Sequence, residues 1–213
     1  MTTMFAGTNA SHQKGIPIPV PVGTGPITCS GTCKGKYGLA LAQDAQIIAN
    51  HLYGIPDVYY DTGMPSAVLE YWNSVCPDGS YCRIDWQEGN VQCVFLVTGA
   101  FALAGHPLPV AHNAIQFWPD YANQPGFEEI PARDGGMPAV GDIMVLDDTP
   151  LGGVGHVAIV TGVTLPSKAH VGTIQWAQAN SFQNFAQATI NPDGTVALDG
   201  WLGYTVVGYI RTV

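Results

Sequence analysis

The stretch PAVGDIMVLDDTPLGGVGHVAIVTGV, residues 138–163, holds two β-branched runs on either side of a glycine-rich turn. Runs of this kind, bounded by Gly, Pro and Asp, read as strands, here 142–147 and 155–164. A connection this short makes them antiparallel, because parallel neighbours need a long crossover. His156 opens the second run. Alternation puts His156, Ala158, Val160 and Gly162 on one face and Val157, Ile159 and Thr161 on the other. The histidine face is small, which suits a helix packed against it.

Further strands are expected downstream at 171–180, 186–191, 194–198 and 204–211, with Asn191-Pro192-Asp193-Gly194 as a hairpin turn. On the strand from 171, Ile174, Trp176, Gln178 and Asn180 share a face. Upstream, the periodicity changes to that of helices. Residues 37–53 predict an amphipathic helix with Leu41, Ala45, Ile48 and Leu52 buried and His51 near its C-terminal end. A second helix spans 65–75, with Pro65 at a permitted first position, and a short third one spans 111–118. Residues 119–137 show no regular period and read as a loop able to wall a cleft, while His106 and His112 read as surface residues. Helices first and strands later give an α+β fold, with the helices packed on an antiparallel sheet. Residues 1–36 read as an extended tail or linker, since IPIPVPVGTGP at 16–26 alternates proline with β-branched residues, and 37–213 form the domain.

The segment GNVQCVFLVTGAFALAG, residues 89–105, carries the chemistry. Val94, Val97, Phe101 and Ala104 follow helical spacing, Asn90 is a suitable N-cap, and Gly105 with Pro107 stops the helix. Cys93 then lies in the first turn, where unpaired N–H groups and the helix dipole favour a thiolate of lowered pKa. Such a nucleophile needs a histidine to carry protons and a third group to orient that histidine. The chain supplies them in order: Cys93, then His156 on a strand, then the amides Gln178 and Asn180 on the next. Two residues along a strand span roughly 6.5 Å, so the two amides cannot both meet one ring nitrogen.

These segments resemble CHAP domains (cysteine, histidine-dependent amidohydrolases/peptidases), relatives of the NlpC-type peptidases in the papain-like group. Three motifs carry the resemblance: Gly89, Gln92 and Cys93 at a helix start, the GDI…GHVAIV segment, and the strand bearing Gln178 and Asn180. It implies a papain-like α+β fold with Cys93 and His156 catalytic, oriented by Gln178 or Asn180. Gln178 stands where the family often has Glu, and an amide there makes a less basic imidazole. Asp142 is expected to be structural. The oxyanion would be held by the Cys93 N–H and by Gln92 or Gln87. The implied reaction is cleavage of a peptidoglycan amide, either the N-acetylmuramoyl-L-alanine bond or a stem or cross-bridge peptide bond, through a cysteine acyl-enzyme. It needs no metal and no cofactor. The alternatives are an amidase or acyltransferase of a non-wall substrate, or a non-catalytic binding module on the same fold.

Composition supports a turn-rich compact protein: 46% hydrophobic, 11% charged, with 26 Gly and 16 Pro in 213 residues. The seven Lys and Arg are scattered and the net charge is −9, so no nucleic-acid partner is expected. No apolar run is long enough to span a membrane. Of the five cysteines, Cys29 and Cys33, and Cys76 and Cys82, are spaced as two short-loop disulfides. Reduced thiols are the alternative, and a zinc site fits the spacings poorly. A free Cys93 beside two bridges suits an exported thiol enzyme, secreted or periplasmic and monomeric. The opening MTTMFAGTNASHQ is not itself a signal peptide, so the expectation is of one cut off or replaced by Met1.

Overall fold

The computed structural model describes residues 26–27, 29, 31–53, 59–75, 91–109, 113–148, 153–201 and 203–213. The expected α+β architecture is present: helices lie on one face of an antiparallel sheet. Three helices come first, α1 (Gly38–Asn50), α2 (Ser66–Val75) and α3 (Cys93–Leu103), with a two-stranded ribbon of β1 (Leu52–Tyr53) and β2 (Tyr59–Tyr60) after α1. The short α4 (Phe117–Tyr121) precedes β3 (Phe127–Pro131), β4 (Ile143–Asp147), β5 (His156–Thr164), β6 (Gly172–Ala177), β7 (Phe185–Ile190), β8 (Val196–Ala197) and β9 (Thr205–Thr212). The large sheet has the order β3-β9-β4-β5-β6-β7-β8, every neighbour antiparallel.

Each face of this sheet has its own core. Ile143 and Val145 of β4 and Val157 and Ile159 of β5 meet Leu41, Ile48, Leu96 and Val97 from the helices. Met144, Leu146, Ala158, Val160 and Trp176 point the other way, among Tyr209, Trp201 and Tyr204. The pleat makes this partition, and it corrects one expectation. The Cys93 helix packs on the face opposite the His156 side chain's neighbours, the Val157–Ile159 face, because only that face is aliphatic enough to bury it.

Helix α1 buries Leu41, Ala45 and Ile48 as its periodicity predicts, whereas Leu52 is reached by β1 instead. Gly38 and Gly141 touch backbone to backbone, so that α1 starts against the turn leading into β4; a Cβ at Gly141 would lie 2.1 Å from the Gly38 oxygen. Helix α3 differs from the amphipathic expectation. Every residue from Cys93 to Phe101 is buried, so the helix is enclosed all round. Its stop is as expected. Gly105 adopts φ +81, and the His106 N–H returns to the Phe101 carbonyl at 2.8 Å. Its start is at Cys93 itself with Gln92 as N-cap, and Asn90 lies outside the described residues.

The stretch expected to be a loop, 119–137, contains the end of α4 and the edge strand β3, paired to β9 and separated from β5 by two strands. Its Phe127-Glu-Glu-Ile-Pro131 segment lacks clean alternation, which hid the strand. Asp142 has the structural role expected of it. It accepts the Ala139 N–H at 2.7 Å and a two-pronged bond from Arg211 of β9 at 2.9 and 2.8 Å. Cys29 and Cys33 form a disulfide with Cα atoms 5.4 Å apart. Just after it, Thr32 and Lys36 hydrogen-bond to Val140 and Thr212 of the domain. Cys76, Cys82, Gln87, His112 and residues 1–25 lie outside the described residues. No helix among the described residues is long and apolar enough to cross a membrane.

Candidate active site

The site forms where β5 and β6 part. The last β6 residue in the ladder is Ala177, opposite Ile159. Backbone groups alternate along a strand, and Val160 bonds toward β4 by its N–H to the Asp142 carbonyl at 2.9 Å. Val157 therefore turns its N–H toward β6, beyond the point where β6 has left. That N–H faces the Cys93 thiol and favours its thiolate. The nucleophile candidate thus lies at the sheet's open notch, near the residue next to His156.

Cys93 is the first residue of α3, and the N–H groups of Cys93 and Val94 also face its sulfur. These contacts favour the thiolate, as the helix start predicts. Burial opposes them and wins: the thiol, 6% exposed, is pushed up to about 11. The expectation of a lowered thiol pKa is corrected accordingly. Enclosing α3 on all sides removes the water that would solvate the anion. Cys93 is a free thiol among the described residues.

His156 is 5% exposed and its pKa is lowered to about 4, chiefly by burial. Its Nε2 lies 3.0 Å from the Gln178 Oε1. The tautomer follows from the neighbours of Gln178. The Trp176 indole, which can only donate, reaches the same Oε1 at 2.8 Å. The Gln178 Nε2 donates to the Gln183 carbonyl at 2.8 Å, a group that can only accept, and to the Ser181 hydroxyl at 3.2 Å. Oxygen and nitrogen of the amide are therefore fixed, and the His156 Nε2 must carry the proton. Nδ1 keeps its lone pair. Every hydrogen-bonding position of Gln178 is used, which makes it a rigid orienting group.

Asn180 does something else. β6 ends at Ala177 rather than 180, so the expected alternation stops before Asn180. Its backbone is left-handed at φ +54, unlike that of any other non-glycine residue described. This turns the side chain away from the imidazole, and its Nδ2 donates to the Gln92 Oε1 at 2.7 Å. Of the two amides, Gln178 meets the histidine and Asn180 meets the residue before the cysteine.

Three neighbours were not singled out in the sequence. Trp201 lies tilted against the His156 ring, centroids 5.2 Å apart, and Tyr204 stands edge-on to it at 6.4 Å. Both come from the segment before β9, distant in sequence and without a motif. Asp148, just past β4, is 4% exposed and accepts the Gly155 N–H at 2.6 Å. Its charge is felt by Cys93, His156 and Tyr204 alike. The available signal was an acid closing the hairpin that leads into Gly155-His156. No group of three or more His, Cys, Asp or Glu suited to a metal occurs among the described residues.

A thiol at the start of a buried helix and an imidazole oriented by an amide on the adjoining sheet are groups that thiol-based acyl transfer uses. Residues 84–180, under half of the chain, match the family model of the CHAP domain. The family is one of amidases and peptidases, typically acting on cell walls. The match contains Cys93, His156, Gln178 and Asn180. No curated protein and no solved structure gives a significant match.

Proposed function

We propose that this protein is a secreted cell-wall hydrolase that cleaves a peptidoglycan amide through an acyl-enzyme on Cys93. The observation that carries the reading is the His156 tautomer. Gln178 accepts the Nε2 proton, so Nδ1 is left as the base, while the next residue in the chain, Val157, turns its N–H toward the Cys93 thiol. In the resting site the thiol titrates at about 11 and the imidazole at about 4, so both are neutral at pH 7. Proton transfer from Sγ to Nδ1 therefore accompanies attack on the carbonyl rather than preceding it. The imidazolium then protonates the leaving amine. Water attacks the thioester, giving its proton to Nδ1, and the acid product and free thiol are released.

The Cys93 N–H and the Gln92 Nε2 are the donors for the oxyanion. Asn180 occupies the Gln92 Oε1, and this fixes the amide with its NH2 group available. The Cys29–Cys33 disulfide supports an oxidising compartment. The peptide part of the wall, stem or cross-bridge, is the substrate class the family suggests.

Digestion of intact peptidoglycan by the wild type and by Cys93→Ala, with products read by mass spectrometry, tests the reading. Soluble fragments are expected from the wild type and none from the variant, and their new termini distinguish amidase from endopeptidase. Equal release by both proteins would remove Cys93 from the reaction. No release by either, across walls of several cross-link types, would remove the wall as substrate.

A further inference from the structure

The orienting residue of this site is an amide, and its surroundings require one. A carboxylate at position 178 has no hydrogens to give the Gln183 carbonyl and the Ser181 hydroxyl, which the Gln178 Nε2 now serves. The consequence is a missing charge. The imidazole must become a cation during the reaction, inside a site where burial disfavours cations. Groups acting on His156 come from three elements: Gln178 past β6, Trp201 and Tyr204 before β9, and Asp148 past β4. Among them Asp148 alone is an acid.

The placement of Asp148 is specific. Leu146 of β4 is the register partner of His156, and Asp148 lies two residues further along, where the hairpin closes. Its Oδ1 takes the N–H of Gly155, the residue directly before His156. Gly155 sits at φ +72, and a Cβ there would lie 2.7 Å from the Leu146 oxygen and 2.8 Å from the Ile115 nitrogen, so the backbone leading into the histidine is tightly confined. No Lys or Arg among the described residues forms an ion pair with Asp148. A carboxylate 4% exposed and with no cation paired to it among the described residues is costly to keep unless a cation appears there at some stage.

We infer that Asp148 is a positioning residue of this reaction: its buried carboxylate fixes the Gly155–His156 backbone and supplies, from the β4 side, the negative charge that Gln178 cannot. It acts on the imidazolium formed when the Cys93 proton moves to Nδ1, and on its loss when that proton leaves with the amine. The inference rests on the acyl-enzyme reading but not on the identity of the substrate. The same charge works against the resting thiolate, which is consistent with a site that transfers the proton only during attack.

The test is Asp148→Asn, which keeps an oxygen for the Gly155 N–H and removes the charge. Two quantities are read: the pH dependence of Cys93 alkylation by iodoacetamide, and turnover at neutral pH. The alkylation midpoint should fall below the wild-type value, because a negative charge near the thiol is gone. Turnover should nevertheless drop about tenfold or more, because the imidazole is a weaker base and its cation is unsupported. A role confined to closing the hairpin predicts an alkylation curve superimposed on that of the wild type, and that result would overturn the inference. If Asp148→Asn does not fold, Asp148→Ser, which also retains an acceptor oxygen, is read in the same way. A lowered midpoint in a protein that releases nothing from any wall would support the role of Asp148 while removing the wall as substrate.

Discussion

Strand β4 has a buried carboxylate just outside each end, and the two are used in opposite ways. Asp142, before the strand, is locked by Arg211 through two hydrogen bonds at 2.9 and 2.8 Å, and Arg211 is further bound by the Met137 carbonyl at 3.1 Å. Asp148, after the strand, accepts one backbone N–H and meets no cation among the described residues. The first end is an architectural clamp joining β4 to β9, with its charge neutralised in place. The second end has no cation paired to it among the described residues, and its charge acts on Cys93 and His156. A buried acid whose partner is present fixes a fold; one whose partner is absent points to a place where charge will develop.

The sharpest way to break this contrast is at the clamp. Asp142→Ala leaves the Arg211 guanidinium, in a largely buried residue, with only the more exposed Glu128 at 4.0 Å as counter-ion, and should destabilise the protein by about 3 kcal/mol in denaturant titration. The Cys93 alkylation curve of the folded fraction should stay as in the wild type. A loss below about 1 kcal/mol would mean that the two ends of β4 are energetically alike.

The unmatched end carries an acid sensitivity that the clamp lacks. The His156 pKa is about 4 in the folded protein against an ordinary 6.5. Its contribution to stability is therefore complete above pH 6.5 and is lost as pH falls toward 4, because the unfolded chain takes up the proton first. The loss is on the order of 3 kcal/mol over that window. In His156→Gln the slope between pH 6.5 and 4 should be shallower by that amount. Parallel curves for the two proteins would show that His156 binds its proton equally well folded and unfolded.

A smaller effect is expected from moving the charge to the other side of the ring. Gln178→Glu strips the donors from the Gln183 carbonyl and the Ser181 hydroxyl and should cost about 1–3 kcal/mol. It should also raise the His156 midpoint, since a carboxylate then faces Nε2 directly. An NMR titration of the imidazole checks the direction. An unchanged or lower midpoint would show that the amide already does all that position 178 can do. Asp148→Asn should alter stability least of these, by about 1 kcal/mol or less, while changing the pH behaviour of the thiol.

Much of this was legible before the fold. The β-branched runs around 138–163 and the later hairpin turn specify consecutive antiparallel strands, and the structure has them at 143–147 and 156–164. Gly105 stops α3 as expected, and Asp142 caps the turn into β4 as expected. The failures have particular causes. The alternation drawn through Gln178 and Asn180 assumed a strand that continued, whereas β6 ends at Ala177 and a left-handed residue re-aims the second amide. The thiol was judged from its helix start alone, which describes the local dipole but not the burial imposed by neighbouring helices and strands.

The sequence alone determined the order of elements and the α+β class and marked out the candidate thiol, imidazole and amides, because periodicity, turn residues and side-chain chemistry are local properties. Only the tertiary structure decided which amide meets the histidine, which ring nitrogen carries the proton, and which acid stands beside the site. Those depend on where β6 leaves β5, on which face of the sheet takes the aliphatic helices, and on how far water is excluded from Cys93 and His156. Each of these is set by contacts between segments far apart in the chain.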